Sequence, residues 1–207
     1  MTTGLRERRK QQARRAISAA AMELFEAQGF DAVTIAQVAE AAGVSKMTVT
    51  NYFARKEDLV FDRAEVIIRS LADAVAGRAP GESLLAAIRR DYAERIAAGD
   101  VTLGPPTAGF ARMVQNSHVL TGRYREIADL CEKALGDAIA AETGVVEPRQ
   151  RIVAAQLASV HRVLFAEGTR LVLAGSPPDD IARTLGSEAR RAFDLLEPSL
   201  GEYAVRT

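Results

Sequence analysis

The chain has 207 residues, 48% hydrophobic and 26% charged, with a mean hydropathy of −0.03; this excludes wholesale disorder and suits one core with an appended module. Its longest uncharged stretch, Val101 to Ala111, has eleven residues and contains Gly104-Pro105-Pro106, far short of the roughly 18 apolar residues of a membrane span, and Arg14, Arg15 and Glu23 break up any secretory apolar block, so a cytoplasmic protein is expected. The formal charge of zero hides an asymmetry, because residues 1–56 hold nine Lys/Arg against five Asp/Glu while the remainder hold 18 against 22, so a polyanion would meet the N-terminal end.

Thirty-eight alanines, few aromatics and few β-branched runs favour helix throughout, and no sheet is expected. From Arg6 to Gln28 the apolar residues Ile17, Ala20, Ala21, Leu24 and Phe25 form one stripe, which Gly29 ends. Thr34 is a good N-cap for a short helix carrying Ile35, Val38, Ala39 and Ala42, stopped by Gly43, and Ser45 caps a third helix. After Phe53 the pattern restarts near Arg55 and runs through Leu59, Val60, Ala64, Ile67, Ile68, Leu71 and Val75 to the Gly77–Gly81 joint, which predicts a linking helix over 55–77. Five further helices are predicted at about 82–98, 107–117, 121–142, 148–174 and 178–197. The last two are too apolar to serve one small core alone, so a homodimer through residues about 148–197 is expected.

Two short helices joined by Ala42-Gly43-Val44-Ser45 have the proportions of a helix-turn-helix, with Ile35, Val38, Ala39, Val44 and Val49 inward and Lys46, Met47, Thr50 and Asn51 outward. Residues Thr34 to Leu59, preceded by Ala27-Gln28-Gly29-Phe30, resemble the DNA-binding domain of the TetR family of transcriptional regulators, whose helices read T-I-x-x-[IV]-A-x-x-A-G-V-S-x-x-[TS]-[LV]-Y-x-[YH]-F-x-x-K-E-x-L. The match covers roughly residues 10–60. Two positions depart from it: Met47 stands where many members have Gly, and Thr50 where many have Tyr.

The resemblance implies an all-α protein with a three-helix DNA-binding domain at 1–54, its motif at about 34–53, and an effector-binding and dimerisation domain at 55–207. It places Thr34, Thr48, Tyr52 and Lys56 against operator phosphates, which fix register without reading bases. Lys46, Met47, Thr50 and Asn51 are the candidate base readers: Lys can donate to guanine, Asn can pair with adenine, and the methyls of Thr and Met can meet a thymine methyl. Arg6, Arg8, Arg9 and Lys10, followed by Arg14 and Arg15, would form a basic arm.

The implied function is a repressor released from operator DNA by a small-molecule effector. Tyr92, Leu103, Phe110, Met113, Cys131, His161 and Phe165 are candidate pocket residues, chosen for being bulky or polarisable, and each is as readily plain core. The helix from Arg55 to Ala76 is expected to be the only continuous connection between head and pocket, with Gly99–Pro106 an entrance, a hinge or a surface connection. A single cysteine and two isolated histidines exclude a disulfide scaffold and a zinc module, and no cofactor is expected. The alternative is a helical enzyme or small-molecule carrier that kept the architecture without binding DNA; the sequence offers it no nucleophile–base set or phosphate loop.

Overall fold

A computed structural model describes residues 2–144 and 148–206, with side chains described from Glu7 onward except at Val101. Among these residues all regular structure is helical: α1 (Thr2–Gln28), α2 (Ile35–Ala41), α3 (Lys46–Tyr52), a 3-10 turn (Lys56–Leu59), α4 (Ala64–Ala76), α5 (Leu84–Ala97), a second 3-10 turn (Val101–Leu103), α6 (Ala108–Asn116), α7 (His118–Thr143), α8 (Pro148–Leu173) and α9 (Pro178–Leu200). The all-α class read from the sequence is the one observed. No helix of the described residues is long and apolar enough to cross a membrane.

The chain divides into two units, Met1–Ala64 with Arg112–Arg123, and Glu65–Ala111 with Tyr124–Thr207. It therefore passes between them three times, after Ala64, after Ala111 and after Arg123. The expectation of one continuous connection is corrected: α6 and α7 also run across these boundaries.

In the first unit Ile17, Ala21 and Phe25 of α1 are buried with Phe30, Val33, Val38, Ala39, Val49, Phe53 and Leu59, and the Phe25 and Phe30 rings lie 5.1 Å apart. The linking helix predicted over 55–77 is not continuous. Leu59, Val60 and Phe61 are all buried, and three successive residues on an α-helix sweep about 200°, too wide an arc to face one core. The chain leaves the 3-10 turn and α4 starts only at Ala64. The carbonyls this frees are taken by α1: Ser18 Oγ donates to Leu59 O at 3.1 Å and Arg14 Nη2 to Asp62 O at 3.2 Å. Arg14 Nη1 also donates to Tyr52 O at the end of α3, 2.8 Å away, and its guanidinium sits 4.4 Å above the Phe53 ring. Residues 112–123 are held to this unit by an Arg123–Asp58 ion pair of 2.8 Å and by Ser117 Oγ donating to Asp31 Oδ1 at 3.4 Å.

In the second unit α9 packs against both α5 and α8, around a core that includes Leu71, Leu85, Ile88, Leu135, Ile139, Leu157 and Phe193. Val160 and Leu164 belong to this core, so they are not available to a second subunit. Tyr92 of α5 and His161 of α8 are buried and share a short Tyr92 Oη to His161 Nδ1 hydrogen bond, with the Tyr92 ring edge-on to Phe193. Burial, aided by the Arg95 charge, pushes the His161 imidazole down to about 4, so it is neutral at pH 7.

Two expectations follow from these contacts. Arg14→Ala should lower stability by about 1–3 kcal/mol, because hydrogen bonds from a charged group are lost, while Arg9→Ala, on the exposed arm, should leave the denaturant midpoint unchanged. His161 binds its proton more tightly unfolded, near pH 6.5, than folded. Its contribution to stability should therefore be complete above about pH 6.5 and fall by up to about 3 kcal/mol as pH drops to about 4. His161→Gln, which keeps an acceptor for Tyr92, should show a shallower loss across that window in thermal unfolding, the wild-type and variant curves differing most near pH 4.

Candidate nucleic-acid interface

The motif helices are set by local chemistry. Thr34 caps α2: its Oγ1 accepts from Gln37 N at 3.3 Å while Gln37 Oε1 accepts from Thr34 N at 2.8 Å. Gly43 then takes φ +65°, and the bonds Gly43 N to Glu40 O (3.1 Å) and Val44 N to Ala39 O (2.9 Å) close the end of α2; a left-handed residue there favours glycine. Ser45 caps α3 through Thr48 N at 3.0 Å.

On α3 the buried position is Val49, followed by Phe53 at the C-cap. Lys46, Met47, Thr50 and Asn51 are all exposed, Met47 to 69%. The structure thus brings the four candidate readers to one outward surface. It separates them by chemistry, however. Asn51 lines a concavity of about 780 Å³ together with Thr48, Tyr52 and the arm residues Arg9 and Lys10, whereas Thr50 donates its hydroxyl proton back to Met47 O at 3.1 Å.

Arg8, Arg9 and Lys10 are exposed along α1; the side chain of Arg6 lies outside the described residues. Arg14 is not part of this arm, being committed to Tyr52, Asp62 and Phe53. Its helical phase carried the signal, since Arg14, Ile17, Ala21 and Phe25 fall on one stripe and that stripe is the buried one.

The four residues expected on phosphates differ in what they have left to donate. Tyr52 is half-buried beside the concavity. The Thr48 hydroxyl lies 2.9 Å from Ser45 Oγ, within hydrogen-bond reach. The Thr34 hydroxyl donates to Gln37 Oε1 at 2.8 Å, so its role here is the cap. Lys56 is folded back on its own unit: Nζ reaches Asp31 O at 3.4 Å and lies 4.4 Å above the Phe30 ring. Burial holds its ammonium below the usual lysine range, against the opposing pull of Asp31 and Glu57.

Of the candidate effector residues, Tyr92 and His161 are hydrogen-bonded neighbours with Cys131 and Tyr124 close by. Tyr92, Cys131 and His161 are interior residues, and burial pushes the Cys131 thiol up to about 11. Phe165 packs its ring 4.9 Å from Tyr124. Phe110 lies in the second unit but Met113 falls in the 112–123 stretch of the first. Leu103 does line a cavity, together with residues of the Gly99–Pro106 loop.

The sequence model of bacterial regulatory proteins of the tetR family matches residues 17–62. The HTH-type transcriptional regulator TcmR of Streptomyces glaucescens is 30% identical over 172 residues, covering 79% of this chain and 76% of TcmR. Among solved structures, NalD of Pseudomonas aeruginosa, described as the secondary repressor of the MexAB-OprM multidrug efflux pump, aligns with a TM-score of 0.54 at 20% identity over 88% of this chain and 97% of its own. The SmeT–triclosan complex aligns with a TM-score of 0.54 at 16% identity, over 95% of both chains. At such identities the two structures are evidence of fold alone. The matched helix-turn-helix and the TcmR similarity along most of the chain are evidence of kinship: the chain belongs to the TetR family and is a DNA-binding transcriptional regulator.

Proposed function

We propose that the chain is a homodimeric repressor whose first unit binds operator DNA and whose second unit holds the dimer contact and a small-molecule effector. The observation that carries the DNA reading is the outward surface of α3, with Lys46, Met47, Thr50 and Asn51 exposed beside a concavity that Arg9 and Lys10 line together with Glu7. In this reading Thr48, Tyr52, Arg9 and Lys10 flank a phosphate strand and Lys56 lends charge from the rim. Asn51 reads a base edge next to that strand, and Lys46 donates to an acceptor in the groove. Met47 and Thr50 offer methyl groups, because the Thr50 proton is already engaged, and a thymine methyl is their complement. NalD's description as a repressor and the triclosan bound to SmeT support repression and a small-molecule effector. An effector that prefers a conformer with misplaced heads displaces DNA without competing for its surface, and operator must weaken effector binding by the same factor.

The dimer reading rests on α8 and α9. With Val160 and Leu164 inward, Ile152, Ala155, Ser159, Val163 and Ala166 form a second stripe on α8. Ile152 and Val163 are 60% and 64% exposed, and Leu195 on α9 is 80% exposed. Small and apolar side chains on two neighbouring helices suit an isologous four-helix contact.

Selection from a random duplex pool gives the operator, and replacing its thymines singly by uracil removes only a methyl. We expect uracil to weaken binding at the positions facing Met47 and Thr50, with Thr50→Ser abolishing the sensitivity at its position and Thr50→Val keeping it. Asn51→Ala should instead change preference at one position per half-site, costing about 1–3 kcal/mol on the selected sequence. Uniform tolerance of uracil would remove Met47 and Thr50 from the readers. For the dimer, Val163→Arg should yield a folded monomer in sedimentation at micromolar concentration, because a charge would be buried unpaired at the contact; a dimeric variant or a monomeric wild type would refute the interface.

A further inference from the structure

A cavity of about 220 Å³ lies in the second unit between the Gly99–Pro106 loop and the facing stretches of α8 and α9. Ile96, Leu103, Val172, Ile181 and Leu185 form its walls, and among the described residues Asp100 is the one ionisable side chain lining it. That carboxylate is already spent. Its Oδ1 accepts from Thr102 N (2.9 Å) and Thr102 Oγ1 (2.8 Å), and its Oδ2 accepts from Arg95 Nε (2.9 Å). A water molecule needs two to four polar partners to be held, so these walls favour an apolar occupant.

Gly168 adds a separate observation. It is buried in the interior of α8, at an ordinary helical φ, and a Cβ there would meet Leu185 Cδ1 at 3.5 Å, Leu103 O at 3.7 Å and Gly104 Cα at 3.8 Å. Those are ordinary contacts, so neither backbone conformation nor collision calls for glycine. A helix-interior glycine is unfavourable compared with alanine, and what it supplies at this position is room on the cavity wall.

We propose that this cavity binds a small, uncharged, apolar molecule of one- or two-ring aromatic size; a cavity of about 150 Å³ lined by aliphatic and aromatic side chains is enough for benzene. The loop that covers the occupant is tied to α5, because Arg95 donates to Asp100 and, through Nη2, to Thr102 Oγ1 at 2.7 Å. The same guanidinium lies 5.7 Å from the Tyr92 ring centre, and Tyr92 is bonded to His161 of α8. Occupancy that spreads the loop therefore pulls on the polar contacts that join α5 to α8. That this is the effector site rests on the ligand-responsive reading above; that it binds does not.

The test is titration of methyl-labelled, DNA-free full-length protein with toluene as the probe. Saturable shifts should appear at the methyls of Leu103, Val172, Ile181 and Leu185, and Ala182→Phe, which adds bulk at a lining position on α9, should weaken binding by at least about tenfold. Gly168→Ala, which fits sterically, serves as the second variant and should weaken binding several-fold without lowering thermal stability. Absence of saturation up to the solubility limit of toluene, shifts confined to other methyls, or unchanged affinity in both variants would overturn the assignment. No DNA enters this titration, so its failure is distinct from failure of an effector to release operator.

Discussion

Arg14 holds the reading end of the protein together. The recognition helix has only seven residues, too few to be stable or oriented by its own hydrogen bonds, and its terminal carbonyls need partners. Arg14 supplies one to Tyr52 O, covers the face of Phe53, and reaches Asp62 O where the chain has left the 3-10 turn. Ser18, one turn on, takes Leu59 O. A single helix face thus fixes both the end of the DNA-reading helix and the break that precedes α4, and the orientation of Lys46, Met47, Thr50 and Asn51 depends on it.

This anchoring also explains what was legible in the sequence. The helix-turn-helix is specified locally: Thr34 with Gln37, Gly43 at positive φ and Ser45 with Thr48 are each contacts within a few residues, and each leaves a mark at fixed spacing. The break between Leu59 and Ala64 leaves none, because the apolar run there fits a continuous stripe and the carbonyls released are claimed by side chains some forty residues earlier. The recruitment of residues 112–123 to the first unit is likewise set by Asp31 and Asp58, far away in sequence. The cavity at the Gly99–Pro106 loop left no mark in the sequence for a different physical reason. Bulky, polarisable residues such as Tyr92, Cys131 and His161 fill space, whereas the cavity is walled partly by glycine and proline, residues that fill little.

At the DNA-facing surface, exposure alone is a poor guide to what a side chain can donate. Thr34, Thr50 and Lys56 would each be counted as hydrogen-bond donors by residue type. The Thr34 and Thr50 protons are spent within the unit, and one Lys56 N–H is directed to Asp31 O. Bonds of this kind cost free energy to break when no equal bond replaces them, so the donors that remain cheapest to offer are Lys46, Asn51 and the exposed arm. Thr50 is left with a methyl and an acceptor. In the reading proposed above, Met47 and Thr50 would offer apolar contact, which in a major groove is the chemistry of the thymine methyl.

Transmission of an effector signal is constrained by the three chain crossings. A lever formed by one helix needs a single rigid link, but α6 and α7 pass the boundary as unbroken helices while α4 begins at it. Ser117, between those two helices, donates to Asp31 in the loop before α2, and Arg123 within α7 pairs with Asp58 of the 3-10 turn. The chain path from one unit to the other through α6 and α7 thus does not pass through α4. Helices are stiff along their length and their packed contacts are bistable rather than continuously deformable. In the ligand-responsive reading, the contacts open to an effector therefore include those of the α6–α7 joint as well as those of α4.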